Sequence, residues 1–253
     1  DKDAVRECQI WLIKQKQTQA WKTTKATADA VYSILLGGDN LLASTKLVEV
    51  SLGGGTVKPK NVEAGTGFYQ HKFDRGDIKS ALGQVEMTKH DAGVAWGSVH
   101  WQYLEDLAKV TPHEATPLNL AKEIYVRENT KSGQVLKPIG SDLAPGDELV
   151  VRLVLRTDRD MEFVHMNDQR GSGTEPVNVL SGHRYQDGLA YYESTRDASS
   201  HFFIDYLPKG TYVFEYPVKV FHRGRYQSGI ANIQSMYAPE FNSHSASQWL
   251  EVK

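Results

Sequence analysis

The chain contains a single cysteine, Cys8. One thiol excludes an internal disulfide and a thiolate metal cluster, and in an apolar helical stripe it is expected to be a small core residue. Long apolar runs are missing as well, and no segment approaches the roughly 20 apolar residues of a membrane helix. Neither sign of charge dominates: 29 Lys+Arg face 31 Asp+Glu in 253 residues. That balance, with no Lys/Arg run, argues against a nucleic-acid partner. There is no Asn-x-Ser/Thr acceptor, no initial Met and no signal-peptide pattern before the first helical stretch. The expectation is a portion excised from a longer polypeptide, whose cellular address is written elsewhere.

What is present begins with helical periodicity. Val5, Cys8, Trp11 and Leu12 predict an amphipathic helix over 3–16. After the Thr-rich connector QTQAWKTTKAT, Thr24 is expected to cap a second helix with Ala28, Val31, Ile34 and Leu35 on one face. Gly37-Gly38 is expected to end it. Two such helices do not make a domain by themselves, so they suggest the last hairpin of a larger helical array.

Beyond Asn40 the period falls to two. Val48, Val50 and Leu52 alternate with Leu47, Glu49 and Ser51, and Gly53–Gly55 makes a turn. GFYQHKF, GQVEMTKHD and GVAWGSVHWQYLED are expected to be further strands of a partial β-module. TPHEATP (111–117) has the composition of a boundary. After it, Leu118, Leu120, Ile124 and Val126 fall on one face of a strand, and APGDELVVRLVLRTD predicts a turn and a strand buried on both sides. SHFFIDYLPKGTYVFEYPVKV predicts a hairpin around Pro208-Lys209-Gly210. YQSGIANIQSMYA and SQWLEVK complete a sandwich of about seven strands. Pairing is expected to stop before Pro239, which has no amide hydrogen.

Several polar groupings invite chemistry. Glu193, Ser194, Arg196, Asp197 and His201 form the densest, but no Gly-x-Ser-x-Gly elbow accompanies them, and a structural loop accounts for them. The nine histidines, among them His165, His183, His201, His222 and His244, lack helical metal-binding spacing, and structural roles are expected. Arg75-Gly76-Asp77 suits a turn between strands, and GSGTEP (171–176) a flexible connector. Arg184, Tyr185, Tyr191, Tyr192 and Arg196 are a candidate face for a peptide, glycan or protein. No catalytic residue, metal ligand or cofactor site is expected.

Four segments carry a resemblance. WLIKQKQTQAWKTTKATADAVYSIL resembles the end of the thioester domain of bacterial alpha-2-macroglobulins, an α/α toroid. GVAWGSVHWQYLEDL is similar to returning strands of the sheet domain that holds that toroid. The block from Asp160 to Tyr216 resembles the terminal macroglobulin-like domain, in its Bacteroidetes variant, and IQSMYAPEF its closing signature. The resemblance implies a mainly β chain of antiparallel, macroglobulin-like β-sandwich domains preceded by a short α-helical hairpin. It divides the chain into 1–40 (last toroid helices), 41–112 (partial CUB-like β-domain) and 113–253 (terminal sandwich). It also implies a non-catalytic part of a protease trap in the cell envelope or periplasm, with proteinases as partners of the longer protein. Met236 and Tyr237 fall on a pair implied to shield the thioester through an intramolecular contact. Plugging the end of their own sandwich is the alternative role for these two. The Cys-Gly-Glu-Gln thioester motif does not occur in these 253 residues, and Cys8 opens the unrelated Cys-Gln-Ile-Trp.

Overall fold

The computed structural model describes residues 1–36, 46–91, 95, 97–140, 142–186 and 188–253. The expected end of the second helix at Gly37-Gly38 lies outside them. Two compact units emerge, one made of 1–15 with 21–99 and the other of 16–20 with 100–253.

The first unit holds most of helix α1 (Lys2–Thr18), helix α2 (Thr24–Leu36) and strands β1 (Glu49–Leu52), β2 (Gly55–Thr56) and β3 (Val85–Thr88). Thr23, not Thr24, caps α2: its Oγ1 accepts the Ala26 amide at 3.0 Å, leaving Thr24 as the first helical residue. The side chain of Gln9 reaches the Ile34 carbonyl at 2.7 Å, and Gln9 and Ala30 are buried. The stripe of Val5, Cys8 and Trp11 is exposed instead, as are Val31 and Leu35. Cys8 is therefore not a core residue. β1 pairs antiparallel with both β2 and β3. GFYQHKF forms no strand, and neither do 97–106 of the GVAWGSVHWQYLED segment. Period-two alternation becomes a strand only when a neighbouring strand takes up its backbone bonds; GFYQHKF instead closes a local turn, in which the Glu63 amide donates to the Phe68 carbonyl and the Gly67 amide to the Glu63 carbonyl. Arg75–Asp77 is a 3₁₀ turn, not a link between strands.

The second unit is a sandwich larger than the seven strands expected. Its strands are β4 (Leu118–Thr130), β5 (Gly133–Pro138), β6 (Glu148–Thr157), β7 (Met161–Gln169), β8 (Thr174–Pro176), β9 (Gly182–Gln186), β10 (Leu189–Thr195), β11 (Ser199–Leu207), β12 (Gly210–Val220), β13 (Gly224–Gln227), β14 (Ala231–Ser235), β15 (Asn242–His244) and β16 (Trp249–Val252). One sheet runs β15-β14-β7-β11-β10-β9, the other β5-β4-β6-β12-β8, and β13 with β16 forms a short ribbon. Leu118, Leu120 and Ile124 of β4, Leu149, Leu153 and Leu155 of β6, Met166, Phe202, Phe214 and Ile233 fill one core between the sheets. β6 is buried on one face over most of its length; Arg152 and Arg156 point away from the core, and Val150 alone is fully buried on that side.

Pro208-Lys209-Gly210 is not a hairpin turn. β11 belongs to the six-stranded sheet and β12 to the five-stranded one, so this link arches from layer to layer. Asp160 holds the arch: its carboxylate accepts the Lys209 amide and the Tyr206 hydroxyl, each at 2.7 Å. GSGTEP is likewise no flexible connector. Gly171, Gly173 and Thr174 are buried, and the segment continues into β8, which pairs with β12.

Candidate functional site

The segment that closes β14 is built as an outward-facing corner. The strand stops at Ser235, and the Met236 amide donates to the Phe163 carbonyl at 2.9 Å. The chain then turns: the Phe241 amide bonds the Ala238 carbonyl, and the Ser235 amide bonds that of Phe241. Pro239 needs no amide partner here, and its carbonyl accepts Asn242 Nδ2 at 2.7 Å. Ala238 and Phe241 face inward, at 3% and 8% exposure, while Met236 and Tyr237 stand out at 57% and 79%. The plug of this sandwich end is thus Ala238 with Phe241, over whose ring the Arg159 guanidinium lies.

Tyr237 meets Phe163 in an edge-to-face contact with ring centroids 5.3 Å apart. Phe163 is itself exposed and has φ of +55°, unusual for a bulky residue. Met236, Tyr237 and Phe163 together make an apolar corner on a hydrogen-bonded turn.

The five residues of the candidate face do not share a face. Successive strand residues point to opposite sides, so Tyr191 enters the core against Phe214 while Tyr192 faces out beside His183. Tyr185 is exposed, Arg184 pairs with the buried Glu193 at 3.1 Å, and Arg196 lies in the β10–β11 turn. The 193–201 cluster does not converge either. Glu193 is committed to Arg184, and His201 bonds Ser199 and His165 rather than Ser194 or Asp197.

Residues 118–240 match the family described as the bacterial alpha-2-macroglobulin MG10 domain. This stretch belongs to that family. The match runs from the first residue of β4 through the turn carrying Met236 and Tyr237. No curated protein matches the chain. Among solved structures, the chain is similar to Salmonella alpha-2-macroglobulin reacted with methylamine, at 20% identity and a TM-score of 0.44 over 57% of this chain and 10% of that one. Escherichia coli alpha-2-macroglobulin activated by porcine elastase gives 16% identity and 0.49 over 95% of this chain and 21% of that one. The native Escherichia coli protein from domain MG7 to the C-terminus gives 16% and 0.46 over 58% and 25%. The chain thus spans a quarter or less of these relatives.

Two groupings in the MG10 domain were not visible as motifs. Lys122 and Asp168 form a buried ion pair between the sheets. His165 and His201 meet on the outer face of the six-stranded sheet, with Nε2 of the first 3.0 Å from Nδ1 of the second. Both pairs join residues from different strands, so no spacing along the chain announces them. Among the described residues no three His, Cys, Asp or Glu side chains gather as a metal cluster, and no helix is long and apolar enough to cross a membrane.

Proposed function

We propose that this chain is a non-catalytic part of a bacterial alpha-2-macroglobulin-like endopeptidase inhibitor, serving as scaffold and shield for the thioester domain. The observation that carries this reading is an MG10-family domain whose terminal turn presents Met236 and Tyr237 to the outside. On this reading 1–40 supplies the last toroid helices, 41–112 part of a CUB-like domain and 113–253 the terminal sandwich. The longer protein sits in the cell envelope or periplasm, and its partners are proteinases.

The chemistry asked of the corner is exclusion. A thioester is an activated acyl group that any amine or water can attack, so its lifetime depends on what covers it. A polarizable Met beside a flat Tyr suits that task, since the two fill an irregular contact without offering a nucleophile. Held by the bonds around Ser235, Ala238 and Phe241, the pair loses little freedom on docking. The isolated 253-residue chain is expected to inhibit no proteinase, and inhibition by it would refute the proposal.

The decisive experiment uses the longer polypeptide, comparing methylamine uptake and thiol release in wild type and in Met236→Ala/Tyr237→Ala. Faster release in the double variant supports the shield. Equal rates remove that role, and absence of thiol release in both assigns the protein a mechanism without a thioester. The alternative, a peptide-, glycan- or protein-binding module built on the candidate face, would have to act through Tyr185 and Tyr192, which face out, since Tyr191 is buried and Arg184 is paired with Glu193.

A further inference from the structure

Strand β12 is covered unequally on its two sides. β6 accompanies it from Gly210 to Lys219, but β8 pairs only with Val218, Lys219 and Val220. The Val220 amide bonds Asp147 on the β6 side. From the other side, the Val177 amide reaches the Pro217 carbonyl at 3.4 Å and Gln186 Nε2 the Val213 carbonyl at 2.9 Å. Alternate residues of a strand send their backbone groups to opposite neighbours. Glu215, midway between Val213 and Pro217, therefore turns its N–H and C=O to the uncovered side. Among the described residues, none bonds either group. Pro217, with no amide hydrogen to offer, is tolerated because this stretch is an edge.

Behind that edge the sheets part. A cavity of about 210 Å³ lies between β12 and β9, the last strand of the six-stranded sheet. Tyr191, Phe202, Phe214 and Tyr216 wall it, and Asn178 and Glu215 are exposed residues at its mouth. The walls are set by their own packing: Phe214 meets Tyr191 at 5.2 Å and Phe202 at 5.4 Å between ring centroids. Arg184 and Glu193 also line the cavity, but they are paired at 3.1 Å, so the lining carries no net charge. An apolar cavity of about 150 Å³ already holds a benzene ring, so this one has room for a phenyl side chain.

We propose that the open edge of β12 at Glu215 docks a short extended peptide from a partner protein. One residue of the added strand exchanges both backbone bonds with Glu215. Its side chain then lies on the outer face beside the Glu215 carboxylate, which already takes Arg152 Nε at 2.6 Å from its other neighbour strand. A basic residue fits there, since opposite charges directly across a sheet stabilise the pairing. The next residue points to the opposite face, into the cavity, where uncharged aromatic walls select an aromatic or large apolar side chain. Val177 and Gln186 close the gap at its two ends, so only a short segment fits. The edge lies across the six-stranded sheet from β14, and the proposal does not depend on the thioester-shielding reading.

The test uses the 253-residue protein and the end-blocked, fluorescein-labelled peptide Ser-Phe-Lys-Phe-Ser, followed by fluorescence polarisation. Saturable binding is expected, with exchange of the Glu215 amide hydrogen slowed by the peptide. Methylating the backbone nitrogen of the peptide Lys removes the donor to Glu215 and should weaken binding about tenfold. Replacing both Phe residues with Ala should weaken it about tenfold or more. Glu215→Pro, which deletes an amide hydrogen that no strand uses, should match the effect of methylation. Glu215→Ala keeps that amide and should cost about fivefold or less. No saturable binding, equal affinity for the methylated peptide, or unchanged exchange at Glu215 would overturn the proposal. Self-association of the chain that Glu215→Pro abolishes would also overturn it, giving the edge to a second copy. Should Glu215→Pro unfold, the methylated peptide on the wild-type protein decides the matter.

Discussion

Lys122 Nζ lies 2.6 Å from Asp168 Oδ1, and the two side chains are 3% and 0% exposed. The pair ties β4 of one sheet to β7 of the other through the middle of the sandwich. Nζ also donates to the carbonyls of Gln169, Ser228 and Gly229 at 2.9–3.2 Å, and the Tyr216 hydroxyl donates to Asp168 Oδ2. Burial pulls the Lys122 pKa down and the Asp168 pKa up, each toward its neutral form. The cage of four oxygens around Nζ nevertheless suits an ammonium, and we assign the pair its charges.

Removing one partner leaves the other charged and buried. Lys122→Met or Asp168→Ala should therefore cost about 3–5 kcal/mol in urea unfolding. Replacing both together with apolar residues of matching volume should recover much of that loss. A single-variant cost under about 1 kcal/mol would show that water reaches the pair.

Positions 171 and 173 should resist any side chain. A Cβ on Gly173 would overlap the Tyr226 ring, and one on Gly171 would come 2.8 Å from the Gln227 carbonyl oxygen. Gly173→Ala is expected to cost about 1–3 kcal/mol, the usual penalty for overpacking. Tyr226→Leu should relieve part of that cost in the double variant. Additive losses would mean that the clash is absorbed elsewhere.

The histidine pair gives stability a pH dependence. His165 is lowered by burial and then by His201; His201 is lowered by burial, Arg196 and Arg170. With folded values below the ordinary 6.5, the unfolded chain binds more protons in the interval between. Their contribution is therefore complete above pH 6.5 and is lost as pH falls through that window toward the folded values. Melting temperature measured from pH 7.5 to 5 should fall more steeply in wild type than in His165→Gln/His201→Gln. Parallel slopes would disprove the assignment.

Where burial follows alternation, the sequence was informative. Leu118, Leu120 and Ile124 face the core as their spacing requires, and the Ala231–Ser235 strand ends before Pro239 as the missing amide demands. Layer assignment was hidden because Pro208-Lys209-Gly210 has the composition of a hairpin turn whether the chain folds back or arches across. Cys8, Trp11 and Val31 were misplaced for a related reason: an apolar stripe reports what a helix can bury, while Gln9 and Ala30 are what it does bury. The exposure of Met236 and Tyr237 beside buried Ala238 and Phe241 depends on the turn between them, which composition does not specify.

That arrangement separates a shield from a plug by stability alone. Met236→Ser/Tyr237→Ser in the 253-residue chain removes apolar surface that already faces water, plus one edge contact with Phe163. Its unfolding free energy should stay within about 0.5 kcal/mol of wild type, as for surface substitutions in general. Phe241→Ala empties a buried position beneath the Arg159 guanidinium and should cost about 3–5 kcal/mol. A large loss from the double serine variant would make the corner part of the core, and its sensitivity in any longer polypeptide would then report unfolding rather than uncovering. If only Phe241→Ala destabilises, whatever Met236 and Tyr237 contribute is exerted on something outside their own sandwich.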